Sequence, residues 1–169
     1  MEQNIDKNDQ FIDKLKLFFN DHKIKIIITI SIILIISITF AVISIIQERK
    51  NISISEKFIE ANIYLSSENR EESKKIFVEI IKSKNKFYSI LALNTILEKQ
   101  LESDDKKIIK YFTMLERLSI SPEQKDLLTL KKALFLIKIS KEEEGRALLK
   151  KLSNSKSQFK KISDQILEN

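Results

Sequence analysis

Residues 26–46 read IIITISIILIISITFAVISII, 21 positions without a charge, a Gly or a Pro. An α-helix rises about 1.5 Å per residue and needs about 20 apolar residues to cross a bilayer's hydrocarbon, so this stretch is long enough to span one. Its hydroxyl residues Thr29, Ser31, Ser37, Thr39 and Ser44 can donate to carbonyls one turn back and so need no partner helix. A cleaved signal peptide has an apolar stretch of about 7 to 15 residues with small residues before the cut. This run is longer and leads into Gln47-Glu48-Arg49, which reads as an uncleaved anchor.

The run divides the chain of 169 residues into a short cytoplasmic N-terminal segment over 1–25, a transmembrane helix over 26–46 and one domain over 47–169. Of the flanking pieces, only the last is long enough to bury a core. Upstream, Phe11, Ile12, Leu15, Phe18 and Phe19 recur at helical spacing, either as a helix lying on the inner leaflet or as an extension of the membrane helix. His22, beside Lys23 and Lys25, reads as a headgroup-level residue. Lys14, Lys16, Lys23 and Lys25 precede the span, whereas Arg49, Lys50 and Lys57 follow it, a bias of one charge toward a cytoplasmic N-terminus.

Hydrophobic residues make up 43% and charged residues 32%, which excludes both a disordered chain and a multi-span transporter. With a single Gly (Gly145) and a single Pro (Pro122), the domain lacks the turn residues a sheet needs, and an all-α fold is expected. The absence of Cys excludes disulfides, thiolate nucleophiles and thiolate metal sites, and one His cannot build a multi-His site. No phosphate-binding Gly-rich loop is possible. The net charge of +6 comes from 26 Lys against four Arg, scattered along the chain, a pattern of compositional drift rather than nucleic-acid binding.

Apolar spacing and start signals place helices at 54–67, 70–84, 86–101, 104–118, 122–139, 141–153 and 156–167. Asn69 with Glu72, Ser121 with Pro122 and Gln124, and Ser140 with Glu143 match capping arrangements. Glu142, Glu143 and Glu144, like Asp104 and Asp105, suit the positive end of a helix and need no metal. Asn51-Ile52-Ser53 matches a glycosylation sequon by chance, so close to the bilayer.

An internal period emerges. Ala61, Tyr64, Ser73, Phe77 and Ile80 have offsets of 3, 9, 4 and 3, and Ala133, Leu136, Gly145, Leu149 and Leu152 repeat them 72 residues later. Half of that interval is close to the tetratricopeptide unit of about 34 residues, so the expected domain is a tetratricopeptide-like helical-hairpin solenoid of about three pairs, against a non-repetitive helical bundle as the alternative. In the middle unit Ala92 takes the first small position, while Phe112 and Leu115 come four residues late, which an extended loop around Glu102 to Lys106 would absorb. This register puts Phe58, Asn62, Leu65, Ser89, Leu93, Ile96, Leu130, Leu134 and Ile137 on the concave, protein-binding face. Leu127 to Ile139 is apolar at nine of thirteen positions, as either a fully packed central helix or a partly exposed apolar groove.

The order of parts resembles the ancillary SecYEG translocon subunits of bacterial inner membranes, whose tetratricopeptide-like domain is shared in part with cell division coordinator proteins. The likeness rests on Asn8-Asp9-Gln10, on Leu15-Lys16-Leu17-Phe18-Phe19-Asn20-Asp21-His22-Lys23 before one span, on Phe58, Ala61 and Tyr64, and on Tyr88-Ser89-Ile90-Leu91-Ala92-Leu93. The resemblance implies a single-pass inner-membrane protein with its repeat domain in the periplasm. Its implied partners are translocon subunits, periplasmic chaperones or exported chains, with lipid around the anchor. An envelope scaffold or cell-division coordination factor of the same fold is the alternative. The residues nominate no catalytic group, cofactor, metal or small-molecule substrate, and a non-enzymatic interaction module is expected.

Overall fold

The computed structural model describes the backbone of residues 3–168 and the side chains of residues 22–168. The apolar pattern of Phe11 to Phe19 therefore lies outside the described side chains. Among the described residues there are seven helices and no strand: α1 Gln3–Ser66, α2 Arg70–Lys82, α3 Tyr88–Glu98, α4 Asp105–Glu116, α5 Pro122–Lys138, α6 Glu142–Ser153 and α7 Lys160–Glu168. The chain falls into two compact units, Met1–Lys50 and Asn51–Asn169.

In the first unit, α1 is long and apolar enough to cross a membrane, and its Ile and Leu side chains from Ile27 to Ile46 are exposed. The hydroxyls of Thr29, Ser37 and Thr39 donate to the carbonyls of Lys25, Ile33 and Ile35 at 2.8 to 2.9 Å, so these polar groups are satisfied within the helix.

The second unit is built from the last part of α1 and from α2 to α7. Helix starts follow local chemistry. Asn69 accepts from the Glu72 amide, Asp104 accepts from those of Lys106 and Lys107, and Ser121 with Gln124 completes a reciprocal capping box before Pro122. Ser140, by contrast, is not a cap. It takes a left-handed backbone at φ 62°, and Lys141 precedes α6 without a side-chain cap bond.

Ser140 belongs to a turn that occurs three times. Glu68, Gln100 and Ser140 all have positive φ, at 61°, 50° and 62°. In each case the next amide bonds to a carbonyl five residues back: Asn69 to Tyr64 at 2.9 Å, Leu101 to Ile96 at 3.0 Å and Lys141 to Leu136 at 2.9 Å. The left-handed residue reverses the chain while returning that amide to a carbonyl of the last helical turn. A second turn type occurs twice, 72 residues apart. Ser83 and Ser155 donate to the carbonyls of Ile80 and Leu152, and both accept from the amide two residues on. Asn85 and Ser157 then accept from the amides of Phe87 and Phe159. By this correspondence α7 stands to α6 as α3 stands to α2.

The turns give a register for α3 and α4. Aligning Gln100 with Glu68 and Ser140 pairs Leu93, not Ala92, with Ala61 and Ala133. Leu101, Glu102 and Ser103 are then inserted between the turn and the cap Asp104. The insertion restores Phe112 and Leu115 to the positions of Phe77 and Ile80, and all four are fully buried.

Two apolar clusters fill the unit. The larger is centred on Phe77, Ile80, Leu93, Ile96, Phe112 and Leu115, the smaller on Leu130, Ala133, Leu149 and Leu152. Each such large side chain contributes about 1.5 to 3 kcal/mol on burial. Phe58 packs against both Phe77 and Tyr88, with ring centroids 5.6 and 5.7 Å apart, which ties α1 to α2 and α3. Helices α5 and α6 approach most closely at Gly145, where an added Cβ would lie 2.7 Å from the Ala133 carbonyl oxygen and 2.6 Å from Ile137 Cγ1.

Candidate functional site

The register decides which side chains of the first-in-pair helices face outward. Asn62, Asn94 and Leu134 occupy equivalent positions, one residue after Ala61, Leu93 and Ala133. Four of the nine sequence-nominated contacts, Ser89, Leu93, Ile96 and Leu130, are buried. The Ser89 hydroxyl donates to the Ile80 carbonyl at 2.8 Å and fastens α3 to α2. Phe58, Asn62, Leu65 and Ile137 are half-buried, and Leu134 is 43% exposed. In α3 the outward positions are Ile90, Asn94 and Leu97, each one residue beyond its nominated neighbour and each half-buried. Ala92 and Leu93 are adjacent and both buried, and the turn at Gln100 aligns Leu93, not Ala92, with Ala61 and Ala133.

A cleft of about 520 Å³ opens where the insertion widens the α3–α4 connection. Leu97 from α3 and Leu134, Phe135 and Ile139 from α5 give it an apolar lining. Its walls differ in charge. Helix α5 brings Lys131 and Lys138, two turns apart, while the end of α3 and the start of α4 bring Glu98, Glu102 and Asp105. Glu102 is held in place by accepting from the amides of Ser103 and Asp104, with the Lys107 ammonium 3.6 Å away. Burial, reinforced by the charges of Glu102 and Asp104, pushes the nearby Tyr111 phenol above its ordinary range and keeps it neutral. Helix α5 is therefore not packed all round. Leu128, Leu130, Ala133 and Leu136 pack inward, while Leu134 opens on the cleft.

A second apolar surface lies on α1, where Ile59 and Ile63 are 58% and 62% exposed. In the third hairpin Phe135 holds the position of Ile63 and is covered by Phe112 of the preceding helix, with ring centroids 6.0 Å apart. Among the described residues no three metal-ligating side chains gather within reach of one ion.

No family model matches this chain, and no curated protein or solved structure is similar to it.

Proposed function

We propose that residues 51–169 form a tetratricopeptide-like solenoid of three hairpins followed by one further helix, and that this domain binds polypeptide. Residues 26–46 anchor it in a bilayer with the N-terminus in the cytoplasm and the domain in the periplasm. In that setting the chain acts as an accessory subunit of the Sec translocon, holding newly exported chains or linking them to chaperones. The observation that carries the binding role is the cleft beside Leu134. Its apolar lining, between walls of opposite charge, suits a side chain of an extended or helical segment, and tethering raises the local concentration at which weak contacts act. The triplicated turn supports the repeat architecture.

The test is co-purification from mild detergent of the full chain and its Leu134→Glu variant. Leu134 is exposed, so the variant folds, and partner recovery is expected to fall at least about tenfold, the cost of setting a charge against an apolar contact. Recovery of Sec subunits or exported chains at the wild-type level would overturn the assignment of the cleft. Recovery of neither by the wild-type chain would overturn the translocon role.

A further inference from the structure

The domain unit has a charge polarity that polypeptide binding does not require. Successive helices run antiparallel. Lys57 pairs with Glu79 where Phe58 meets Phe77, Glu116 pairs with Lys132 where Phe112 meets Phe135, and Arg146 bonds the Leu167 carbonyl where Ser153 bonds Asp164. Arg70 bonds the Lys99 carbonyl, one pocket joins the α3–α4 connection to Lys138 and Ile139, and another joins Glu116 and Asp126 to Lys151 and Ser155, so the α2–α3, α4–α5 and α6–α7 turns gather at one end of the unit and the other three at the opposite end.

The first end is basic. Lys82, Lys84 and Lys86 lie at the α2–α3 turn, and Lys150, Lys151, Lys156, Lys160 and Lys161 lie around the α6–α7 turn, all exposed. Among the described residues none of these lysines has an ion-pair partner. Glu79 and Glu116 are engaged by Lys57 and Lys132, and the acids left at this end, Glu123 and Asp126 at the α4–α5 turn, are outnumbered by these lysines together with Arg117 and Lys125. The opposite end is mixed: Glu98, Asp104, Asp105 and the run Glu142 to Glu144 lie beside Arg70, Lys99, Lys106, Lys107, Lys138 and Lys141.

Helix dipoles account for part of this, since Lys82, Lys150 and Lys151 close helices where cations are favoured. They do not account for Lys160 and Lys161. Both sit in the first turn of α7, where the dipole opposes a positive charge. The same end exposes apolar tips among the cations. Phe87, 57% exposed, follows Lys86, and Ile162, 44% exposed, follows Lys161. Lysines interspersed with exposed aromatic and aliphatic side chains suit an anionic headgroup layer.

The basic end is also where the unit begins. Asn85, in the α2–α3 turn, donates to the Asn51 side chain at 2.8 Å. Asn51 is five residues after Ile46, the last residue of the apolar run, and five residues reach at most about 18 Å even fully extended. We infer that the basic end, through Lys84, Lys86, Lys156, Lys160 and Lys161 with Phe87 and Ile162, docks on the anionic surface of the bilayer that holds the anchor. The inference rests on the anchor reading. It leaves the cleft free for a partner.

The chain has no Cys, so single labels report cleanly. The full chain carrying Asn154→Cys, at the α6–α7 turn, or Ser103→Cys, at the α3–α4 turn, is labelled with a fluorophore. It is then placed in phosphatidylcholine nanodiscs with or without phosphatidylglycerol, with a quencher on the lipid headgroups. The label at 154 should be quenched in anionic discs and released by high salt or by omission of phosphatidylglycerol, while the label at 103 stays bright. Each lysine near such a surface favours docking about fivefold, so Lys156→Glu, Lys160→Glu and Lys161→Glu together should lower the docked population more than about tenfold. A chain that fails to co-float with lipid loses the anchor and this inference together. A chain that floats but quenches equally at 154 and 103, or without regard to lipid charge, keeps its anchor and overturns the docking.

Discussion

The first and third left-handed turns, α1–α2 and α5–α6, share the bond from the next amide to the carbonyl five residues back, yet the close-packed position after each is filled in opposite ways. In the third, Gly145 leaves no room for a methyl group between α6 and the Ala133 carbonyl. In the first, Ser73 stands at that position, fully buried, with its hydroxyl lacking a hydrogen-bond partner. The compensation lies one turn on: the first hairpin has Phe77 where the third has Leu149. Ser with an aromatic ring one turn on and Gly with Leu one turn on are two ways of filling that position. The two connections therefore share a turn, while the core residues after it differ.

Truncating the two fillers should produce the largest effects. Phe77→Ala is expected to cost about 3 to 5 kcal/mol and Leu149→Ala about 2 to 5, with Phe77 the greater because its ring supports both α1 and α3 through Phe58. Urea unfolding of the full chain in detergent, followed by the helical signal of the domain, measures both. A larger loss at Leu149 would reverse the comparison. Gly145→Ala comes next, at about 1 to 3 kcal/mol of overpacking, because two of the three atoms a Cβ would meet, the Ala133 oxygen and the Ile137 nitrogen, are backbone and cannot swing aside.

At the matching position of the first hairpin the sign should change. Ser73→Ala removes a buried, unpartnered hydroxyl and should leave stability equal or raise it by up to about 1 kcal/mol. A loss as large as that of Gly145→Ala would show that the two positions are not equivalent. The smallest effect is at Glu79, whose carboxyl is held below its ordinary range first by the hydrogen bond from Lys57 and then by that ammonium's charge. A depressed carboxylate stabilises the fold above its ordinary range, and that contribution is lost as pH falls through the depressed value. For a pair this exposed it amounts to less than about 0.5 kcal/mol, so Glu79→Gln should barely flatten the acid limb of the stability profile.

Local chemistry was readable in the sequence and long-range register was not. Asn69 and Ser121 cap helices as their neighbours Glu72 and Gln124 announce, because a cap is decided within four residues. The apolar run and the all-helical character follow from composition and spacing. Ser140 misled because a Ser three residues before a Glu fits a capping box equally well as sequence, whereas the return of the Lys141 amide to Leu136 required a left-handed residue there. That Ser89, Leu93 and Ile96 of α3 are buried was hidden for a similar reason. Nothing in Lys99-Gln100-Leu101 advertises a left-handed turn, and that turn sets which side of α3 is buried. The spaced pair Ser83-Lys84-Asn85-Lys86-Phe87 and Ser155-Lys156-Ser157-Gln158-Phe159 was a legible signal, since the same side-chain types close both turns.

The measurement that tests the account most directly is photo-crosslinking of the membrane-embedded chain from position 134, in the cleft, and from position 147, on the exposed face of α6. Adducts with translocon subunits or exported chains from 134, with few from 147, are the predicted result. Equal yields from the two positions, or adducts from 147 alone, would contradict it.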